Sequence, residues 1–344
     1  MANENKSPKE KRKSLLIYFL KLAFSFLLLY LLFRHINTAK LLAVLKSAEP
    51  VWLCASFTAF FVAVWSSAAA WKVLLEPLGL HISWTHVMIL RLISLFFNQA
   101  LPTGMAGDLW RAYIFGARED KMGASFASVL AEKWVSYLSL SFCALIALLM
   151  GWDSFSKSKL SVPLAWFVGG MLAVAIGSIL LMPWFIANGK KFFSRFGIAN
   201  PWLEGMESFH IYRSYKKHLF YAFLLSCISP FAGGLAFWFI SLSIKSSAPL
   251  QSFFILVPLT RVVAYLPVVV SSIGTQDITT VLFYAKYGIA KEVSFSISLI
   301  GHALKMLVGA TGGLCYLFVN PSRKDEKKKE TKDSSELPGY QPES

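Results

Sequence analysis

Between Ser125 and Met150 the chain runs for 26 residues with a single charged pair, Glu132-Lys133. Comparable runs cover Leu15–Phe33, Val51–Ala70, Val162–Ile186, Leu219–Ile240 and Val293–Val319. About 20 apolar residues in an α-helix span the hydrocarbon layer of a bilayer, and a water-soluble core has no use for six such segments. These runs restrict the chain to an all-α polytopic membrane protein, because helices satisfy their own backbone hydrogen bonds in lipid. The 56% hydrophobic and 15% charged content agrees. Leu15–Phe33 is an uncleaved first span: it carries only Lys21, and no small-residue cleavage site follows before Arg34-His35.

A second feature divides the chain. LPTGMAGDLWR runs from Leu101 to Arg111, and LPVVVSSIGTQD runs from Leu266 to Asp277. Each follows an apolar arm with one arginine, Arg91 or Arg261, and each precedes an apolar helix carrying Glu132 and Lys133 or His302 and Lys305. Proline is hostile to a helix interior and glycine permits a tight reversal, so Pro102, Gly104 and Gly107 break the first copy, and Pro267 and Gly274 break the second. The arms flanking each break are too short to span alone. The expectation is two re-entrant hairpins, over 87–115 and 250–285, and one structural unit used twice.

The basic residues order these segments. With the N-terminus inside and each hairpin returning to its own side, 21 Lys and Arg fall in cytoplasmic segments, 8 in outer loops and 5 in membrane segments. Arg111 is counted with the cytoplasmic loop after the first hairpin. This excess follows the positive-inside rule, and it places both termini and the 187–217 loop in the cytoplasm of a plasma (inner) membrane protein. The net charge of +15 is thereby explained by topology, and no nucleic-acid partner is expected. The two units then enter from opposite faces as inverted repeats, each of three spanning helices plus one re-entrant hairpin. A basic tail, 1–14, precedes a single membrane domain, 15–319. That domain divides into repeats over about 15–150 and 162–319, and a charged, disordered tail, 320–344, follows it. In transporters built this way the site lies near the midplane, between the repeats.

Charges within spans are costly and need partners or a wet cavity. The candidate substrate-binding and translocation residues are Arg91, Pro102, Gly104, Gly107, Asp108, Arg111, Glu132, Lys133, Arg261, Pro267, Gly274, Asp277, His302 and Lys305. Two readings stand side by side. In one, the charges pair only to hold the hairpins, with Glu132 on Arg91 or Lys133, Asp277 on Arg261, and Asp108 as N-cap of the returning arm. In the other, they surround a polar cavity at the hairpin tips, where helix N-termini and the cations Arg91, Lys133, Arg261 and Lys305 receive an anionic head group. His302 is the histidine deepest in a span, and a packed role suits it better than catalysis. The four cysteines stand singly in apolar runs without metal-ligand spacing, and no P-loop, Gly-x-Ser-x-Gly or His-Glu-x-x-His sequence occurs. No metal, cofactor or catalytic residue is expected.

The segments LPTGMAGDLWR, SVLAEKW (Ser128–Trp134) and LPVVVSSIGTQD resemble the lysylphosphatidylglycerol synthase transmembrane-region family, also called flippase-like or uncharacterised protein family 0104. The likeness covers nearly all of residues 15–319. Pro102, Gly107, Asp108 and Arg111 match the family's first motif, with Ala106 in place of one glycine, and Glu132-Lys133 match its Glu-Arg. The second motif is altered: Gly274 is kept, while Gln276-Asp277 replace Arg-Glu. The resemblance implies a lipid-handling membrane domain, with aminoacyl transfer in the family's synthases belonging to a separate soluble domain. About 25 residues follow the last span here, so the expectation is a transporter rather than an enzyme. Its partners would be membrane lipids, and its role a lipid flippase or lipid-linked substrate transporter acting on an anionic phospholipid or polyprenyl-phosphate head group. The alternatives are a membrane subunit of an aminoacyl-phosphatidylglycerol or glycosyl transferase, with catalysis on another chain, and a binding or scaffold protein whose tails recruit partners. Beyond lipids, the partner expectations are such a partner enzyme or further copies of this chain in a homo-oligomer.

Overall fold

The computed structural model describes residues 46, 48–101, 105–152, 162–174, 176–177, 211–246, 248–264 and 272–318, with 264 and 272–278 as backbone only. Among these residues all regular secondary structure is helical, with no strands. The elements are α1 (Pro50–Leu75), α2 (Trp84–Ala100), α3 (Ala106–Glu119), α4 (Met122–Met150), α5 (Val162–Val174), α6 (Lys216–Ser243), α7 (Leu250–Ala264), α8 (Ser272–Ala285) and α9 (Lys291–Phe318). Among the described residues, four segments are long and apolar enough to cross a membrane: Pro50–Leu78, Met122–Met150, Lys216–Ser243 and Lys291–Phe318. They correspond to four of the six expected spans. The first expected span, the end of the fourth, the tails and most of the 187–217 loop lie outside the described residues, as do Pro102, Gly104, Pro267 and the Asp277 side chain.

Local chemistry sets the element ends. Pro50 occupies the first turn of α1, where its missing N–H costs nothing. A 3-10 turn, Glu76–Leu78, stops at Gly79, whose φ of 64° suits a residue without Cβ. Ser83 caps α2 by accepting from the His86 N–H. The α2–α3 and α7–α8 pairs fall where the two hairpins were expected. At 14 to 17 residues, each helix is about 21–26 Å long, short of the roughly 30 Å hydrocarbon layer.

The packing repeats. α1 packs on α2 and α4, and α6 packs on α7 and α9; α4 packs on α3 and α7, and α9 packs on α8 and α2; α2 meets α3 as α7 meets α8; α4 meets α6 as α9 meets α1. Exchanging α1–α4 for α6–α9 maps each of these contacts onto another. α1 and α6 share the most extensive contact and run antiparallel. At one end the Glu49 N–H donates to the Ser243 carbonyl (2.9 Å), and Trp52 stacks on Phe239. At the other end Tyr212 donates to the Leu74 carbonyl, and His218 lies 3.6 Å from Glu76.

Small residues allow the close approaches. A methyl at Gly312 of α9 would land on the Leu92 carbonyl of α2, and one at Gly107 of α3 would land on the Ser94 carbonyl of α2. Helices in lipid associate through such backbone proximity, because the surrounding acyl chains supply no hydrophobic driving force between them.

Candidate functional site

Asp108 and Glu132 are both about 1% exposed, and between them they hold three cations. Arg91 of α2 lies 3.3 Å from each carboxylate and donates to the Ser67 hydroxyl at 2.6 Å. Arg111 of α3 bridges the same two carboxylates, at 3.1 Å from Asp108 and 2.5 Å from Glu132. Lys133 of α4 takes the other oxygen of Asp108 at 2.6 Å. Ser94 and Asn98 donate to Asp108 at 2.9 and 2.7 Å, and Ser67 donates to Glu132 at 3.1 Å. Arg111 is fully buried and lies over the Trp71 ring, 4.2 Å from its centroid, while the Trp71 indole N–H donates to Ser128. Burying ions at this depth is tolerable only with close pairing of opposite charges. Arg111 pairs through Nη2, while its Nε and Nη1 have no hydrogen-bond partner among the described residues.

Spacing explains the arrangement. Arg91, Ser94 and Asn98 recur at i, i+3 and i+7 on one face of α2, and Asp108 and Arg111 at i, i+3 on α3. Asn98 serves both arms of the hairpin: its amide donates to Asp108, and its carbonyl accepts the Gly107 N–H at 2.8 Å.

Three expectations need correction. Asp108 is not an N-cap. Met105 holds that position, Asp108 sits in the first turn, and its oxygens are consumed by side chains of α2, α3 and α4. Nor is the start of α3 a free anion site: Asn98 takes the Gly107 N–H, the Met105 carbonyl takes that of Asp108, and the Asp108 carboxylate already complements the helix dipole. Arg111 is no loop residue, because α3 continues to Glu119 and buries it completely. Of the pairings weighed for Glu132, that with Arg91 is present, whereas Lys133 turns to Asp108.

Beside this network lies a cavity of about 310 Å³ between the two sets of helices. Arg91 and Lys133 of the first helix set and Arg261 and Lys305 of the second line it, together with Ser67, Ser136, Ser226 and Ser229. Pro230 sits inside α6 on this wall. A mid-helix proline removes the donor that would take the carbonyl four residues earlier, so polar backbone is left at the wall. Arg261 donates to the Ser229 carbonyl and hydroxyl at 3.5 Å, and Lys305 lies over Phe237 (4.9 Å) and Phe60 (5.9 Å). His302 is buried in α9. Gly274 and Asp277 lie on α8. The polar residues that sequence reasoning missed are Ser67, Ser94, Asn98 and Gln99. Gln99 donates to the Lys305 carbonyl at 3.2 Å, joining α2 to α9 at the edge of the cavity.

Four long apolar helices, two pairs of short helices and a buried charge network define a polytopic α-helical membrane protein. Residues 18–313 match the family described as lysylphosphatidylglycerol synthase TM region, and the chain belongs to that family. It is also similar to a UPF0104 membrane protein of Methanocaldococcus jannaschii, at 22% identity over 325 residues, which cover 89% of this chain and 96% of that protein. No solved structure matches.

Proposed function

We propose that this protein is a flippase, or a transporter of a lipid-linked substrate, that handles an anionic phospholipid or polyprenyl-phosphate head group in the cytoplasmic membrane. The observation that carries the reading is the cavity between the two helix sets, with cationic side chains of both sets, Arg91, Lys133, Arg261 and Lys305, in its wall. Inverted-repeat transporters place their substrate at this interface. The reading takes α1–α4 and α6–α9 as such repeats, supported by the reciprocal packing and by the antiparallel run of the equivalent helices α1 and α6. It takes α2–α3 and α7–α8 as re-entrant hairpins. Their short helices support this, since irregular backbone at membrane depth is tolerated where it is buried or lines a wet cavity. Both termini are cytoplasmic in this reading, by the positive-inside count.

The test is reconstitution into liposomes with fluorescent analogues of anionic phospholipids, a zwitterionic phospholipid and a prenyl phosphate. Leaflet exchange is followed by quenching from outside. Protein-dependent exchange of an anionic analogue, faster than that of the zwitterionic one, supports the proposal. No protein-dependent exchange of any anionic analogue overturns it.

A further inference from the structure

The three cations that neutralise Asp108 and Glu132 are not equivalent. Arg111 is shut away from the cavity: it is fully buried and held over Trp71. Arg91 and Lys133 belong to both places. Their charged ends lie on the carboxylates, at 3.3 and 2.6 Å, and the same side chains line the cavity. An anion entering the cavity therefore competes with Asp108 and Glu132 for the two cations nearest it.

We infer that anion binding in this cavity is coupled to uptake of a proton by the Asp108–Glu132 pair. The inference deepens the transport reading above and rests on it. When Arg91 and Lys133 turn toward a phosphate, the two carboxylates keep Arg111 as their shared cation, at 3.1 Å from Asp108 and in contact with Glu132. Two buried carboxylates on one guanidinium repel each other, and a proton shared between them relieves this. The proton comes from water in the cavity and leaves when the anion departs and Arg91 and Lys133 return. One anion and up to one proton then move through the same cycle, so a pH gradient drives the lipid.

The surroundings of the pair fit this exchange. α1 contributes the Ser67 hydroxyl, α2 contributes Arg91 with the neutral Ser94 and Asn98, α3 contributes Arg111, and α4 contributes Lys133. Ser67, Ser94 and Asn98 remain on the carboxylates when the cations turn away. Across the cavity stand Arg261 of α7 and Lys305 of α9, with His302 one turn before Lys305 in α9; Cys143 of α4 lies 11 positions beyond Glu132, on the side of α6 that carries Cys227.

The experiment is calorimetric titration of the purified full-length protein in detergent with two probes, dihexanoyl phosphatidylglycerol and geranyl phosphate. Each titration is run at one mildly alkaline pH in buffers of different ionisation enthalpy. The dependence of the observed heat on the buffer gives protons taken up per anion bound. The expected result is uptake of up to about one proton per anion, because a like-charged pair with one cation shares one proton. Glu132→Gln is expected to reduce protons per bound anion at least several-fold, since a single carboxylate then remains opposite Arg111. Binding without proton uptake by the wild-type protein overturns the inference and leaves the transport reading intact. Binding of neither probe overturns both. Uptake that persists undiminished per bound anion in Glu132→Gln overturns the assignment to this pair. Where that variant fails to fold, infrared difference spectra of the wild-type protein decide the assignment: a protonated-carboxyl band that appears on anion binding supports a buried carboxylate as the acceptor, and its absence overturns it.

Discussion

Gly107→Ala is the smallest change that should open the charged network. The added methyl would fall on the Ser94 carbonyl oxygen, 2.6 Å from the Ser94 carbonyl carbon and 2.8 Å from its Cα. All three atoms are backbone, so no rotamer change relieves the contact. Ordinary contact begins at 3.4 Å, and α2 and α3 must part by roughly 1.5 Å to clear the Ser94 carbonyl oxygen, an overpacking cost of about 1–3 kcal/mol. The separation also strains the Ser94 and Asn98 bonds to Asp108, at 2.9 and 2.7 Å, and the Asn98 bond to the residue 107 N–H. Loss of one hydrogen bond to a buried charge adds about 1.5–3 kcal/mol. The expected loss is thus about 2.5–6 kcal/mol, summed from overpacking and one such bond. It should be read as a lower detergent fraction at the midpoint of reversible unfolding in mixed micelles. The controls are Gly169→Ala and Gly170→Ala in α5, where an added Cβ meets nothing within 4 Å and helix propensity favours alanine by about 1 kcal/mol. A Gly107→Ala protein as stable as wild type, or α5 variants that fall equally far, would refute the packing argument.

Asp108→Asn separates capping from ion pairing. Asparagine caps a helix about as well as aspartate, so a cap role forecasts little loss. The observed network forecasts a loss of about 3–5 kcal/mol, because three cations would be left with one carboxylate. Arg261→Gln should slow exchange of anionic lipid about 10–100-fold, the equivalent of one charge-assisted hydrogen bond of about 1.5–3 kcal/mol. Its effect on exchange of a zwitterionic analogue should be far smaller, and equal losses for both lipids would remove Arg261 from head-group recognition. In a cysteine-free background, Lys157→Cys should react with an impermeant reagent added outside, and Lys190→Cys should not; the opposite pattern ends the inverted topology.

The membrane class was legible because length and apolarity alone decide it, and the short helices α2, α3, α7 and α8 were legible because Pro and Gly interrupt runs otherwise fit for helices. Arg91, Asp108, Glu132 and Lys133 stood out because ions in apolar runs are rare. Ser67, Ser94 and Asn98 gave no such signal. Serine in an apolar helix commonly bonds a carbonyl three or four residues back, as Ser66 and Ser139 do here. Nothing local separates these from Ser67, which reaches another helix. Asn98 acquires its role only when the hairpin closes. The capping role for Asp108 failed because the helix begins at Ala106, two residues earlier, and because tertiary donors outcompete the local backbone. The loop placement of Arg111 ignored its i, i+3 relation to Asp108, which was readable.

The choice between charges that hold the hairpin and charges that serve a site turns on cost. A buried ion network is weak evidence of stability, since apolar residues of similar volume often pack as well or better in its place. A purely structural clamp would also gain from being closed: every cation would be sealed as Arg111 is, with its carboxylates on one side and Trp71 on the other. Instead Arg91 and Lys133 keep 16% and 22% of their side chains exposed, on the wall of a cavity that also receives Arg261 and Lys305 from the other helix set. Exposure of this kind weakens a clamp by screening. It is what an anion-binding surface requires. On the transport reading proposed above, the sealed Arg111 fixes the carboxylates in place, and the partly open pair faces the entering head group.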